Sequence, residues 1–363
     1  MPTIISIAEA VPPFALKQDE VITFSRDLFA DSFRDIERLL CAFKNGQIEK
    51  RHFVKEIDWY KVDRSFEEKN NTYIEAAVTL GIQAINECLK NQLFLQEEIP
   101  YEQIDAIFFI STTGLATPSI EARIMNVLPF RSSTKRIPIW GLGCAGGVSG
   151  LSRAAEYCLA FPNAKVLVLS VELCSLTFQR NDHTKSNLIG TSLFGDGTGC
   201  ALVCGDRVGI NKIRKKNASP YIVAVQSRLM PDSLNVMGWN IKNEGLFVVF
   251  SRDIPHIIED WLKPNVSQLL KESKISLEQI HYFIAHPGGK KVLDAYEKSL
   301  GFQPSMTKLS FEVLKQYGNM SSATVFFVMK RHMELEIEDG EYGLCAALGP
   351  GFSSELLLLR WAS

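Results

Sequence analysis

The 363-residue sequence has little net charge, no long apolar run and no closely paired cysteines. No segment offers the roughly 18 consecutive apolar residues of a transmembrane helix, so we expect no integral association with a membrane. A formal charge of −2 at pH 7 gives no bias toward nucleic acid, and none is expected as a partner. The N-terminus lacks the basic start of a signal peptide, which favours a cytoplasmic location.

The eight cysteines are scattered and form none of the Cys-x-x-Cys pairs that zinc sites usually use, so no metal is expected. Most lie in apolar runs, where a reduced cysteine behaves as a small hydrophobic residue. Cys144 differs because it lies among four glycines in IWGLGCAGG, directly before an apolar helical pattern. At the start of a helix, free N–H groups favour a thiolate, and glycines let a thioester approach them. Cys144 is therefore a candidate nucleophile, with a small core residue as the alternative.

Buried strands alternate with amphipathic helices along the chain, which is typical of an α/β fold whose sheets are covered on both faces. The predicted helices span residues 70–91, 147–160 and 254–273. The predicted strands span residues 106–111, 164–172, 199–206, 221–227 and 354–361.

The sequence also contains an internal repeat. YEQIDAIFFISTTG, from Tyr101, resembles LEQIHYFIAHPGG, from Leu277. Cys144 follows the Glu of the first segment by 42 residues, and Asn319 follows the Glu of the second by 41. Each lies in a glycine-containing turn before an apolar helix. We infer a duplicated α/β unit, with an N-terminal half over residues 1–208 and a C-terminal half over residues 209–363.

The repeat suggests partners for the thiol. His286 follows the strand YFIA, at a strand end where side chains enter a cleft, and Asn319 occupies the turn that corresponds to that of Cys144. A histidine held by structural hydrogen bonds and an asparagine that caps a helix are the alternatives. Convergence of all three side chains on one site is the more specific prediction.

These turns carry a resemblance. GLGCAGG, IAHPGG, YGNMSSA, SLFGDGTG and ALGPGFSSE resemble the signature turns of chalcone synthase-like type III polyketide synthases, in the thiolase superfamily. The resemblance runs from about Ile107 to the C-terminus and is poor before Asp31. It implies a thiolase-like five-layered αβαβα fold, a homodimer, and Cys144, His286 and Asn319 as a catalytic triad. It also implies acyl-CoA and malonyl-CoA as substrates, with no metal and no cofactor.

The same resemblance suggests residues around the substrate. Val248 stands where plant members carry the second of two gatekeeping phenylalanines, so a wider passage is predicted; Thr117 replaces a methionine that reaches the cavity from the partner subunit. The candidate substrate-binding residues are Thr113, Thr117, Thr177, Phe194, Trp239, Val248, Ser321, Gly349, Pro350 and Gly351. The candidate CoA-binding residues are Arg38, Lys44 and Lys50.

The function predicted from these residues is iterative decarboxylative condensation of malonyl-CoA onto a medium- to long-chain fatty acyl-CoA starter. Loss of a ring at Val248 enlarges apolar space, and buried methylenes favour long chains. The expected products are alkyl α-pyrones, as made by bacterial alkylpyrone synthases. Two alternatives stay open: a single-condensation enzyme, such as a fatty-acid-initiating β-ketoacyl synthase or a 3-hydroxy-3-methylglutaryl-CoA synthase, and a non-catalytic acyl-CoA-binding paralogue.

Overall fold

The computed structural model describes residues 1–30, 32–216, 218–251 and 253–363. The helices are α1 (Gln18–Phe29), α2 (Ile36–Asn45), α3 (Phe66–Leu89), α4 (Ile120–Met125), α5 (Gly146–Ala160), α6 (Lys185–Leu193), α7 (Ile254–Ser273), α8 (Lys290–Leu300), α9 (Pro304–Tyr317) and α10 (Thr324–Glu334). The strands are β1 (Thr3–Ala10), β2 (Phe14–Lys17), β3 (Lys50–Phe53), β4 (Ala106–Ile110), β5 (Lys135–Ile139), β6 (Lys165–Leu173), β7 (Asp196–Cys204), β8 (Ser219–Leu229), β9 (Met237–Lys242), β10 (Gly245–Phe250), β11 (Ile280–Ala285), β12 (Tyr342–Gly349) and β13 (Ser353–Ala362). Every helix and strand predicted above is confirmed, with small shifts of their ends.

The main sheet consists of two halves with the order β5-β4-β6-β7-β1 and β8-β13-β12-β11. They join where Thr3 of β1 pairs with Tyr221 of β8. β4 runs parallel to β5 and β6, and β11 runs parallel to β12. The carboxyl ends of β5 and β11 lead directly into the turns that carry Cys144 and His286.

The helices form three layers around the two half-sheets. α5 and α10 contact strands of both halves, α3 packs on β1, β6 and β7, and α7 packs on β8 and β13. Each interface has its own apolar core, and the central core draws side chains from both half-sheets. Helix, sheet, helix, sheet and helix follow one another, which confirms the predicted five-layered αβαβα fold.

The two central helices are buried on nearly every side. Residues 146–152 of α5 and 324–329 of α10 are all buried. A helix segment covered on both sides needs no polar face, and the charged residues of α5, Arg153 and Glu156, accordingly lie beyond its buried segment. The small residues of GGVSG allow α5 to lie close to the other central elements.

The structure supports the internal repeat and corrects its register. Single helical turns, Tyr101–Gln103 and Leu277–Gln279, precede β4 and β11, as the matching sequences suggest. Comparable turns, Gly143–Ala145 and Ser321–Ala323, precede α5 and α10. Aligning these two turns places Ser322 opposite Cys144, so Asn319 lies three residues before the corresponding position. The boundary between residues 208 and 209 stays a prediction.

An additional layer covers one end of the fold. α1, α2, β3 and the turn Ile57–Lys61 share an apolar cluster that includes Phe24, Phe43 and Tyr60. Among the described residues, no helix is both long and apolar enough to cross a bilayer. Side chains of this additional layer also line an apolar cavity.

The closest approach in the central layer yields a stability prediction. A Cβ atom on Gly147 would lie 2.2 Å from the backbone oxygen of Ser322 and 2.8 Å from Val325. Gly147→Ala is expected to lower the free energy of unfolding by about 1–3 kcal/mol, because the two central elements must move apart. Urea unfolding measures the change. Gly46→Ala is the control, since its Cβ would lie 3.4 Å from the nearest atom; equal stability of the two variants would contradict the close packing.

Candidate active site

Cys144 is held in a braced turn between β5 and α5. Gly143 has a φ of 47°, and a Cβ on it would lie 2.6 Å from Cδ of Pro350. A Cβ on Gly349 would lie 2.4 Å from the backbone oxygen of Leu142. The predicted Gly349–Gly351 turn therefore packs directly against the turn of Cys144. Glycine is required at these contacts because no side chain fits.

Asn319 reaches Cys144 from the C-terminal half. Its Oδ1 lies 3.9 Å from the Sγ of Cys144 and accepts a hydrogen bond of 2.8 Å from the N–H of Ser321. Its Nδ2 donates to the carbonyl of Gly288 at 3.1 Å. Ser321, with a φ of 49°, closes the turn around the amide. The Asn319 amide is thus fixed between the cysteine turn and the segment after His286.

His286 lies just beyond β11, and its N–H donates to the carbonyl of Ala346 at 2.8 Å. The side chain is buried, and neither ring nitrogen has a hydrogen-bond partner among the described residues. Burial lowers the pKa of His286 to about 3, so the imidazole is neutral at pH 7. Since buried polar groups are normally paired, two free ring nitrogens mark a position that awaits a partner.

The thiol differs from the sequence-based expectation. Burial raises the pKa of Cys144 to about 12, although hydrogen bonds with Ser321 and Asn319 act in the opposite direction. The thiolate favoured by the helix start is therefore not the resting state. Loss of solvation outweighs the backbone N–H groups in the protein without substrate.

Glu172 is a charged group at the site that sequence reasoning missed. This buried carboxyl accepts hydrogen bonds from the N–H and hydroxyl of Thr112, both at 3.0 Å, and from the hydroxyl of Thr113 at 2.9 Å. The hydroxyl of Ser322 also donates to it. Burial raises the pKa of Glu172, whereas these donors lower it. The signal that could have revealed Glu172 is its position as a lone acidic residue within the apolar strand KVLVLSVEL.

An apolar cavity reaches Phe194, whose backbone pairs with that of Asn319, but Cys144, His286 and Asn319 are not among its lining residues. It includes Thr177, Phe194 and Val248, which the sequence analysis had selected. The remaining lining residues are Val21, Phe24, Arg51, Phe53, Ile57, Tyr60, Cys174, Ser175, Phe178, Asn187, Gly190 and Thr191. Many belong to α1, β3 and the turn after β3, where the family resemblance is weakest or only partly kept, so motif matching did not reveal them.

The predicted widening beside Val248 needs correction. Phe250 lies two residues further along β10, on the same face, and its ring centroid is 5.7 Å from that of Phe194. Trp239 pairs with Val248 between β9 and β10, and its ring centroid is 6.0 Å from that of Phe194. Both rings pack on Phe194, so the strand face keeps an aromatic residue although Val248 is not one. Trp239 contacts Phe194 but is not among the residues that line the cavity.

The other candidates are dispersed. Thr113 is buried and donates to Glu172, while Thr117 is exposed and does not line the cavity of its own chain. Arg38 and Lys44 are exposed on α2, and Lys50 is half-buried in β3. Within the described ranges these three cations form no ion pair, and no cluster of three potential metal ligands occurs. Their contact with CoA stays a prediction.

The five-layered fold defines a thiolase-like enzyme of the acyltransferase class. Family models for the N-terminal and C-terminal domains of chalcone and stilbene synthases match residues 1–207 and 221–362. The chain belongs to this family, the type III polyketide synthases.

Individual relatives agree over the full length. A chalcone synthase-like protein of Bacillus subtilis strain 168 is 55% identical over 362 residues, which is 99% of each chain. A 1,3,6,8-tetrahydroxynaphthalene synthase of Streptomyces peucetius is 31% identical over 99% of this chain and 93% of its own. The crystal structure of the Streptomyces coelicolor A3(2) tetrahydroxynaphthalene synthase superimposes with a TM-score of 0.91 at 29% identity, covering 99% of both chains.

The raised thiol pKa predicts how Cys144 responds to pH. Since the thiolate is the reactive form, alkylation of Cys144 by iodoacetamide should accelerate about tenfold per pH unit from pH 7 to pH 10, without levelling off. Cys41 is exposed and also reacts, so a Cys41→Ser background and peptide mass spectrometry are used. A plateau below pH 8 would indicate a stable thiolate and contradict the buried neutral thiol.

Proposed function

We propose that the protein catalyses iterative condensation of malonyl-CoA onto an acyl group held as a thioester on Cys144. The observation that carries this proposal is the buried imidazole of His286, which has no hydrogen-bond partner among the described residues and is linked to Cys144 through Gly288 and Asn319. Such a site offers one nucleophile and free hydrogen-bonding groups beside it. These are the parts that a covalent acyl transfer needs.

Acyl transfer begins with the neutral thiol. As Sγ of Cys144 attacks the thioester carbonyl of the starter, its proton passes to His286; the bond to CoA sulfur then breaks, and the proton leaves with CoA. Because burial disfavours either charge alone, proton transfer and attack proceed together. The product is an acyl-cysteine thioester and free CoA.

Extension uses the same polar groups as donors. The neutral ring of His286 and the amide of Asn319 donate to the thioester oxygen of malonyl-CoA, where negative charge develops as the bond to carbon dioxide breaks. The enolate carbon then bonds to the acyl carbonyl, and Cys144 leaves as thiolate, which takes up one proton from solvent to restore the neutral thiol. The lengthened chain, now on CoA, returns to Cys144 for the next round.

The cavity supports a fatty acyl starter. Its walls are mainly apolar, and each buried methylene contributes about 0.8 kcal/mol, so long chains gain most. The cavity is narrow, so a long chain requires side chains such as Phe24 and Phe178 to change position. Alkyl α-pyrones follow because lactone closure needs only attack of an enol on the thioester. The enzyme acts as a homodimer in the cytoplasm, without metal or cofactor.

The roles of the three polar residues can be separated. His286→Ala and Asn319→Ala should each slow decarboxylation of malonyl-CoA by about a hundredfold, as expected when an oxyanion donor is removed. Cys144→Ala should abolish chain extension, because the covalent attachment is lost. Trapped carbon dioxide and product mass spectrometry measure the two steps. Native circular dichroism is the control, and normal carbon dioxide release from either donor variant would refute its role.

The starter is tested by competition between palmitoyl-CoA, hexanoyl-CoA and 4-coumaroyl-CoA at equal concentration. Palmitoyl-CoA should be preferred, giving triketide and tetraketide alkyl α-pyrones by mass spectrometry. Preference for the coumaroyl ester, or an aromatic product from malonyl-CoA alone, would overturn the starter assignment. A single extension would indicate the single-condensation alternative, and no extension the non-catalytic one.

Val248 is tested separately, because it lines the cavity next to Phe194. Val248→Phe should reduce use of palmitoyl-CoA relative to hexanoyl-CoA by adding a ring on the cavity side of β10. Val249→Phe adds the same ring on the opposite face of this strand and serves as the control. Equal use of palmitoyl-CoA by Val248→Phe and the wild type would show that this position does not govern entry.

A further inference from the structure

We propose that Arg51 is a positioning residue that holds Asn319 in its productive orientation by clamping the end of α6. Arg51 lies in β3 and is fully buried. It does not contact Cys144 or His286 in the structure, and it acts through the backbone. This inference rests on the proposed role of Asn319 in decarboxylation.

The guanidinium binds the free carbonyls at the end of α6. Nη1 donates to the carbonyls of Thr191 and Phe194 at 2.7 and 2.8 Å, and Nη2 donates to Oε1 of Gln18 at 2.7 Å. The last carbonyls of a helix lack intrahelical partners and carry partial negative charge. A single nitrogen, Nη1, therefore satisfies two carbonyls at the helix end, and the planar guanidinium is fixed in direction by the bond from Nη2 to Gln18.

The clamped segment is the one that pairs with Asn319. The N–H of Asn319 donates to the carbonyl of Leu193 at 2.9 Å, and the N–H of Gly195 donates to the carbonyl of Asn319 at 3.0 Å. These two bonds enclose Phe194, whose carbonyl Arg51 holds. A shift of the α6 end is thereby transmitted to both sides of the Asn319 backbone.

The methylene groups of Arg51 also pack closely against Gly195 and Gly318, two glycines of the paired segments. A Cβ on Gly195 would lie 3.3 Å from Cβ of Arg51, and a Cβ on Gly318 would lie 2.7 Å from its Cδ. Arg51 thus contacts the residue before Asn319 and the segment paired with it. One side chain holds the loop through both its charge and its methylene groups.

A buried guanidinium is costly, so its retention here needs a reason. Asp196, also buried, is the opposite charge that acts on it, but the carboxyl of Asp196 accepts hydrogen bonds from Val54 and Ser175. Burial lowers the pKa of Arg51 to about 9, and the nearby Asp196 opposes this shift. The direct hydrogen bonds of the fork all go to α6 and Gln18, which is where its geometric function lies.

The test is Arg51→Lys, which keeps a cation but loses the two-pronged geometry. Decarboxylation of malonyl-CoA should fall about ten- to hundredfold in kcat, as expected when a catalytic group is displaced by about 1 Å. The KM for malonyl-CoA and the acylation of Cys144, followed by intact-protein mass spectrometry, should stay within about twofold of the wild type, because acylation does not use Asn319 and lysine keeps a cation in this cavity wall. If Arg51 only stabilised the fold, acylation of Cys144 and decarboxylation of malonyl-CoA would fall together.

Two further variants complete the design. Arg214→Lys changes another buried arginine, whose Nη1 donates to the carbonyl of Ala362 away from the site, and should leave both steps unchanged. Gln18→Met removes the acceptor of Nη2 together with the hydrogen bonds that Nε2 of Gln18 donates to the carbonyls of Ser192 and Phe43. It leaves Arg51 in place, should lower decarboxylation by about threefold, and keeps the test valid if Arg51→Lys does not fold.

The outcomes distinguish this inference from the proposed function. Decarboxylation within about twofold of the wild type in Arg51→Lys, or parallel loss of acylation and decarboxylation, would overturn the positioning role while Asn319→Ala still loses activity. Decarboxylation that survives Asn319→Ala would instead overturn the proposed function and, with it, this inference.

Discussion

The site depends on the close packing of two helix starts that belong to different halves of the chain. Cys144 and Asn319 are 175 positions apart in sequence, yet their side chains lie 3.9 Å apart. This contact exists because Gly147 leaves room for the backbone of Ser322 between the half-sheets. The five layers thus convert a duplicated fold into one asymmetric site, with a cysteine from the first half and an asparagine from the second.

The burial that brings these groups together also sets their protonation. It raises the pKa of the Cys144 thiol to about 12 and lowers that of His286 to about 3. Both groups are therefore neutral at pH 7 in the protein without substrate. A substrate carbonyl between them offers a place for charge to develop, so reactivity arises with the substrate rather than before it.

Much of the fold was predictable because its signals are local. Apolar strands, glycine-rich turns and the repeated Glu-Gln-Ile segments all report on their immediate surroundings, and the structure confirms the elements that they predict. Glu172, Arg51 and Phe250 were missed because their importance depends on distant partners. Nothing in the residues next to Arg51 indicates that its fork reaches the end of α6, 140 positions away. The expectation of a Cys144 thiolate was also wrong, because the start of a helix can be recognised in the sequence whereas the burial around the thiol cannot.

The signature turns and the rest of the sequence account for different parts of the site. The turns that resemble the family's signatures build the reacting centre, where geometry tolerates little change. Part of the cavity wall instead comes from α1, β3 and the turn after it, a region that the resemblance covers poorly or only in part. Val21 and Phe24 in this layer are packed by apolar contacts, which admit substitution more readily than a fixed hydrogen-bond set does. Arg51 differs from these residues, because its hydrogen bonds link this layer to the end of α6, which pairs with Asn319. A change at Arg51 is therefore expected to affect the cavity wall and the surroundings of Asn319 together.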